Sequence, residues 1–160
     1  MPSLLHDQII ADVVDEIKFQ LESIQGESTG FAKEIRSPGS ATINFHDHEY
    51  GKHDPDAQFR HPKGQYPGVV TDVSFSQKSK DLARLADDYI LGSDGNIRAV
   101  VGLDVEYSGS KVATLSIWRP HWEKNEAGVQ KLVALLTVTN QVRFMSYTSY
   151  TSIGRNCHIC

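Results

Sequence analysis

The chain has 160 residues, enough for one domain, with 39% hydrophobic, 22% charged and 9% aromatic side chains and a net charge of −4. This composition supports a packed core and argues against a disordered chain. No apolar run reaches the roughly 18 residues of a membrane-spanning helix. The acidic N-terminal stretch lacks the basic-then-apolar order of a secretory signal, so the expected location is cytoplasmic or nuclear, not secreted. A negative net charge also argues against tight nonspecific coating of nucleic acid, though not against an enzyme whose acids hold a metal.

Residues 4–24 read as a first helix, because Leu4, Leu5, Ile9, Ile10, Val13, Val14, Ile17, Leu21 and Ile24 recur at helical spacing. Ser3 suits the N-cap, and Gly26 lies just past the last periodic position. Residues 31–36 and 41–45 are short strand candidates, and Ser37-Pro38-Gly39-Ser40 between them predicts a hairpin turn. Residues 46–65 are polar and broken by Gly51, Pro55, Pro62 and Gly64, which predicts a loop with a brief strand at 57–60.

Residues 68–76 (GVVTDVSFS) form a valine-rich strand pattern. A second helix is expected over 77–91, with Leu82, Leu85, Ala86 and Tyr89 on its apolar stripe and Gln77, Asp81, Arg84 and Asp88 on the opposite face. Ser76 is its expected cap and Gly92 its stop. Residues 97–107 and 111–119 are two more strands around Ser108-Gly109-Ser110, with Val105, Tyr107, Ala113, Leu115 and Ile117 as inward positions. Periodicity does not decide whether 129–144 is helix or strand. A helix between strands 68–76 and 97–107 implies a right-handed crossover joining parallel strands in a mixed sheet. The expected organisation is one domain over 1–144 and an irregular tail over 145–160.

The informative acids are Asp56, after Pro55, and Asp72, inside the valine-rich strand. Asp72 and Ser74 are two apart on a strand and share a face, opposite Val69, Thr71, Val73 and Phe75. An ionised aspartate among valines is costly without a partner, and a divalent cation shared with a second acid would be one. The stretch from Asp54 to Pro120 resembles the PD-(D/E)XK nuclease-like superfamily, which has the restriction-endonuclease-like fold. Pro55-Asp56 matches its "PD" element and Asp72-Val73-Ser74 its "(D/E)XK" element; the following helix with Arg84-Leu85-Ala86 and Tyr89 and the strand IRAVVGLDV fit the same order.

The resemblance implies an α/β (α+β mixed) fold with an αβββαβ core, a mixed central sheet flanked by helices. It implies Mg²⁺ (or Mn²⁺) at Asp56 and Asp72, and metal-dependent hydrolysis of phosphodiester bonds, DNA ahead of RNA. The sequence departs from the motif at one point: Ser74 stands where the lysine belongs. Either the lysine has moved or the domain is inactive and serves binding or assembly. Lys78 is the first substitute and Lys80 the second. Gln77 could contact a metal-bound water or a phosphate, and Ser74 could help position it. Glu16 on the first helix borders the apolar stripe and matches an acid that joins the site in relatives. Nucleic acid is the expected partner; a homodimer and membership of a larger protein or complex are left open.

Other residues offer rival chemistry. His46, His48, His53 and His61 lie near Asp47, Glu49, Asp54 and Asp56, ligand types that suit Zn²⁺ or non-haem iron, but their spacing fits no compact zinc motif. A polar loop beside the acidic site, with His53 near substrate, is the plainer expectation. Trp118, Arg119, His121 and Trp122 crowd one strand end, where aromatics and arginine can stack on bases or simply cover core. Cys157 and Cys160 cannot staple the domain and read as a reduced tail. No phosphate-cradling glycine loop and no paired nucleophile is present in the sequence.

Overall fold

The structure is a computed structural model and describes residues 4–75, 81–106 and 112–143. Helix α1 (Leu4–Ser23) forms where the helical periodicity places it. It buries Ile9 against the sheet, and Ile10 and Val13 pack beside it. A 3-10 turn (Gly26–Ser28) then leads into a short helix, α2 (Thr29–Glu34).

Here the expected hairpin between 31–36 and 41–45 is corrected. Residues 31–34 belong to α2, which turns Ala32 inward, and only Arg36 reaches the sheet, through an isolated antiparallel bridge to Arg60. The apparent alternation over 31–36 covers too few residues to outweigh the docking of α2 on α1. The actual small hairpin lies downstream, where β1 (Ile43–Asn44) pairs with β2 (Lys52–His53). Gly51, at φ 65°, supplies the left-handed backbone that lets the chain return, and its carbonyl accepts from the Phe45 amide.

The main sheet runs in the order β3-β4-β5-β6-β7. Its strands are β3 (Ala57–Phe59), β4 (Val69–Phe75), β5 (Ala99–Val105), β6 (Val112–Lys124) and β7 (Gln130–Arg143). Strands β4 and β5 are parallel and the other pairs antiparallel, so the sheet is mixed, as expected from the helix between them. That helix is α3 (Leu82–Gly92). Of the undecided stretch 129–144, residues 130–143 form β7, an edge strand along β6. Strand β6 continues through Pro120, past its last β5 partner, Trp118, where one flank no longer has a strand to bond.

The start of α3 also differs from expectation. Asp81, assigned above to the solvated helix face, is the N-cap: its carboxylate accepts from the Arg84 amide at 3.1 Å. An aspartate before the first periodic leucine satisfies an otherwise orphaned amide, which outweighs a place in the helix interior. Ser76, Gln77, Lys78, Lys80, Tyr107, the tail 145–160 and its Cys157 and Cys160 lie outside the described residues.

Each sheet face carries its own core. One holds Ile9 with Val73, Leu103, Val105 and Ala113 under α1. The other holds Ile43, Phe45, Val70, Ala86, Tyr89, Ile90, Val100 and Trp118 under α3. Alternation along β4 therefore places Asp72 and Ser74 on the α3 side with Val70. Their neighbours in register on β5 are Gly102 and Asp104. Gly102 leaves room for the Trp118 ring and Leu82, since a Cβ there would stand 2.8 Å from Trp118 Cζ3 and 3.2 Å from Leu82 Cδ1.

Candidate functional site

Asp56 stands one residue before the first ladder pair of β3, Ala57↔Thr71. Its carboxylate continues what the ladder stops: Oδ2 accepts from the Val73 amide of β4 at 2.8 Å. His6 Nε2 lies 3.4 Å from the same oxygen, and both side chains are about one-sixth exposed (17% each). His6 comes from the first turns of α1, where it is i, i+3, i+4 and i+7 with Ile9, Ile10 and Val13. It thus occupies the apolar stripe, and its ring centroid lies 6.0 Å from that of Phe75.

Asp72 is 2% exposed in the middle of β4. Its carboxylate acts on the Tyr89 hydroxyl of α3 by charge and hydrogen bonding. Burial first, and then the charge and hydrogen bond of Asp72, push the Tyr89 hydroxyl far above its ordinary value; Asp56 and Asp54 add smaller contributions in the same direction. Asp56 and Asp72 therefore act electrostatically on one group. Asp56 bonds the amide of the residue after Asp72, but it meets α1 through His6 whereas Asp72 faces α3, so the two acids reach neighbouring positions of β4 from different sides.

Ser74 is buried at 2% and faces Asp104 across β4 and β5. Asp104 Oδ1 is buried with no hydrogen-bond partner among the described residues. Asp104 was not singled out from the sequence, although it carries the same mark as Asp72, an acid within a valine-rich strand. His6 was missed as well, and its mark was a titratable side chain on an apolar helical stripe. Gln77 and Lys78 lie outside the described residues.

Glu16 is not brought to the pair. It is exposed and accepts from Gln20 Nε2 at 2.8 Å. It stands ten residues beyond His6 on α1, about 15 Å along the axis, so His6 is the α1 side chain that reaches Asp56.

The four loop histidines disperse, and three of them find separate neighbours. His53 Nε2 lies 3.3 Å from Asp88 Oδ2, which makes Asp88 a half-buried tie to β2 rather than part of a solvated face. His61 Nε2 lies 3.1 Å from Glu34 Oε2, His46 meets Gln65 at 2.6 Å, and His48 is exposed. Among the described residues, no three His, Cys, Asp or Glu side chains converge as a metal-holding group. The Trp118–Trp122 cluster also divides: Trp118 is 8% exposed in the core and Trp122 is 52% exposed.

An open cleft of about 570 Å³ lies between α1 and the 37–40 loop, with His6, Ile10, Lys18, Ser40 and Asp56 among its walls. No helix among the described residues is long and apolar enough to cross a membrane. Comparison with protein-family models, with curated proteins and with solved structures finds no match to this chain.

Proposed function

We propose that the chain is a nuclease-like domain of the restriction-endonuclease-like type that hydrolyses phosphodiester bonds in nucleic acid, DNA ahead of RNA. In this reading Asp56 and Asp72 hold Mg²⁺ or Mn²⁺. The observation that supports it is the hydrogen bond from the Val73 amide to Asp56, which ties Asp56, at the wall of an open cleft, to the strand position next to Asp72. The donor set suits the ion: Mg²⁺ takes one or two carboxylates and fills its remaining positions with water and phosphate oxygens. When bound, such an ion polarises a phosphoryl oxygen and lowers the pKa of its water.

The chain's own residues supply the setting. Tyr89 fixes the Asp72 carboxylate through its hydroxyl. The Val73 amide and His6 fix Asp56 from two directions. His6 Nε2, at the cleft wall, is placed to hold or pass a proton at the Asp56 edge. Ser74 can position a polar neighbour but cannot supply the positive charge of a lysine; in this reading that charge comes from Lys78, with Gln77 contacting water or phosphate.

A second reading, an inactive domain that binds nucleic acid or protein, is favoured by Ser74 itself, a buried hydroxyl at the lysine position. One experiment separates the two. Melting temperature is followed with added Mg²⁺ or Mn²⁺, and cleavage of plasmid and single-stranded DNA is assayed for the native chain and Asp72→Asn. The enzyme reading expects a metal-dependent rise in melting temperature and cleavage, both lost in Asp72→Asn. Neither effect in the native chain would leave the binding reading standing.

A further inference from the structure

We infer that a basic, aromatic patch on α2 and the β3 edge binds single-stranded nucleic acid by stacking a base on Phe31 and holding the backbone with Arg36, Lys33 and Lys63. The inference rests on the nucleic-acid part of the proposed function and not on its metal.

Phe31 is 59% exposed, unusual for a phenylalanine, and is held in a defined pose. Its ring stacks on His61 with centroids 4.6 Å apart and planes 6° from parallel. His61 is in turn fixed by Glu34 at 3.1 Å. One ring face is thus covered by the imidazole while most of the side chain faces solvent, which is the form of a stacking platform for a base.

Cations lie near this platform in the chain, and several contacts fix their backbones. Arg36 bridges Arg60 with reciprocal amide–carbonyl bonds of 2.9 Å, and its guanidinium donates to the Lys33 and Ile35 carbonyls. Arg60 turns its own guanidinium onto the Gly64 and Gln65 carbonyls, which shapes the loop that presents Lys63. The Lys63 amide donates to His61 Nδ1 at 3.2 Å. Across residues 31–36 and 60–66 the chain carries four lysines and arginines and one carboxylate, Glu34, in a protein whose net charge is −4. Such a concentration of positive charge in an acidic protein is a local electrostatic footprint for phosphates.

The patch is continuous with the candidate site. Arg36 directly precedes Ser37, which lines the cleft beside Asp56. Arg60 lies four residues from Asp56, about 13 Å along an extended chain. A strand anchored on Phe31 would run past Arg36 toward the cleft. A single strand suits the platform because its bases are free to stack, whereas those of a duplex are already stacked on each other.

The test is fluorescence anisotropy with a short fluorescein-labelled oligodeoxyadenylate in EDTA, repeated over a range of salt, with its duplex as competitor. The native chain should bind the single strand more tightly than the duplex. Phe31→Ala should weaken binding about tenfold, and Phe31→Trp should restore it. Arg36→Ala and Lys63→Ala should each reduce the slope of log affinity against log salt by about 0.7. Because this binding is measured in EDTA, a failed metal site and a failed patch give different results. Melting temperatures check that the exposed substitutions leave the fold intact. The inference is overturned if the native chain does not bind the oligonucleotide, if Phe31→Ala binds as well as the native chain, or if the duplex competes equally.

Discussion

The carboxylate of Asp72 on β4 acts by charge and hydrogen bonding on the hydroxyl of Tyr89 on α3, linking the best-buried aromatic of the helix to the least exposed acid of the sheet. Neither group is cheap to bury alone, because an unpaired carboxylate or hydroxyl loses its hydration with nothing in return. Tyr89→Phe removes the donor while keeping the ring. It is expected to cost about 1–3 kcal/mol, read from denaturant unfolding. An unchanged midpoint would show that Asp72 draws its stabilisation from elsewhere.

The same pair sets an alkaline limit on stability. Burial, and then Asp72, raise the folded pKa of Tyr89 above its ordinary value of 10.0. The folded state therefore keeps a proton that the unfolded state releases. This contribution is fully present below pH 10.0 and falls as pH rises above it, by about 1.4 kcal/mol per pH unit. Unfolding free energy measured between pH 9 and 11 should show this fall in the native chain, and Tyr89→Phe should reduce it, Tyr50 being the other tyrosine held above its ordinary value.

Asp56 has a structural and a proposed functional part that two substitutions separate. Asp56→Ala leaves the buried Val73 amide without its acceptor and should cost about 1–3 kcal/mol. Asp56→Asn can still offer an oxygen to that amide and should stay closer to native stability. Both should lose any stabilisation by Mn²⁺, which for the native chain would reach about 2.7 kcal/mol at a hundredfold excess over the dissociation constant. Metal-dependent stabilisation that survives in Asp56→Asn would remove this residue from the ligand set.

Helix α3 carries Tyr89 and is anchored by Asp81. Asp81→Ala removes the acceptor for the Arg84 amide and should lower stability by about 1 kcal/mol, with Asp81→Ser recovering most of it. If Ala and Ser behave alike in thermal melts, the cap contributes nothing.

Gly102 marks where β5 passes beneath Trp118. A Cβ would meet that ring at 2.8 Å, so Gly102→Ala should overpack the α3 side by about 1–3 kcal/mol. A Gly102→Ala/Trp118→Leu double variant should recover part of the loss, measured as coupling between the two sites. Additive losses would mean that the ring and the new methyl do not meet.

The sequence by itself determined the elements whose residues interact locally. The stripe of α1, the valine run of β4 and the apolar stripe of α3 all encode their structure in residues a few positions apart, whereas the cap of α3, expected at Ser76, falls at Asp81. The helix between two strand patterns was enough to order β4 and β5 in parallel. Asp72 was legible because a charge among valines stands out, and Asp104 carried the same mark unread.

Only the tertiary structure decided what depends on partners far along the chain. Residues 31–36 offer a short strand candidate, but strand pairing needs a neighbour, and 31–34 join helix α2 beside α1 while Ile43 pairs with His53. Residues 129–144 are equally apolar as helix or strand, and pairing along the flank of β6 makes 130–143 a strand. His6 meets Asp56 across fifty positions because α1 lies over the edge of β4, while Glu16, on the same helix, is carried away from it by the rise of each turn. Periodicity fixes which face a residue shares; only the docking of one element on another fixes what that face meets.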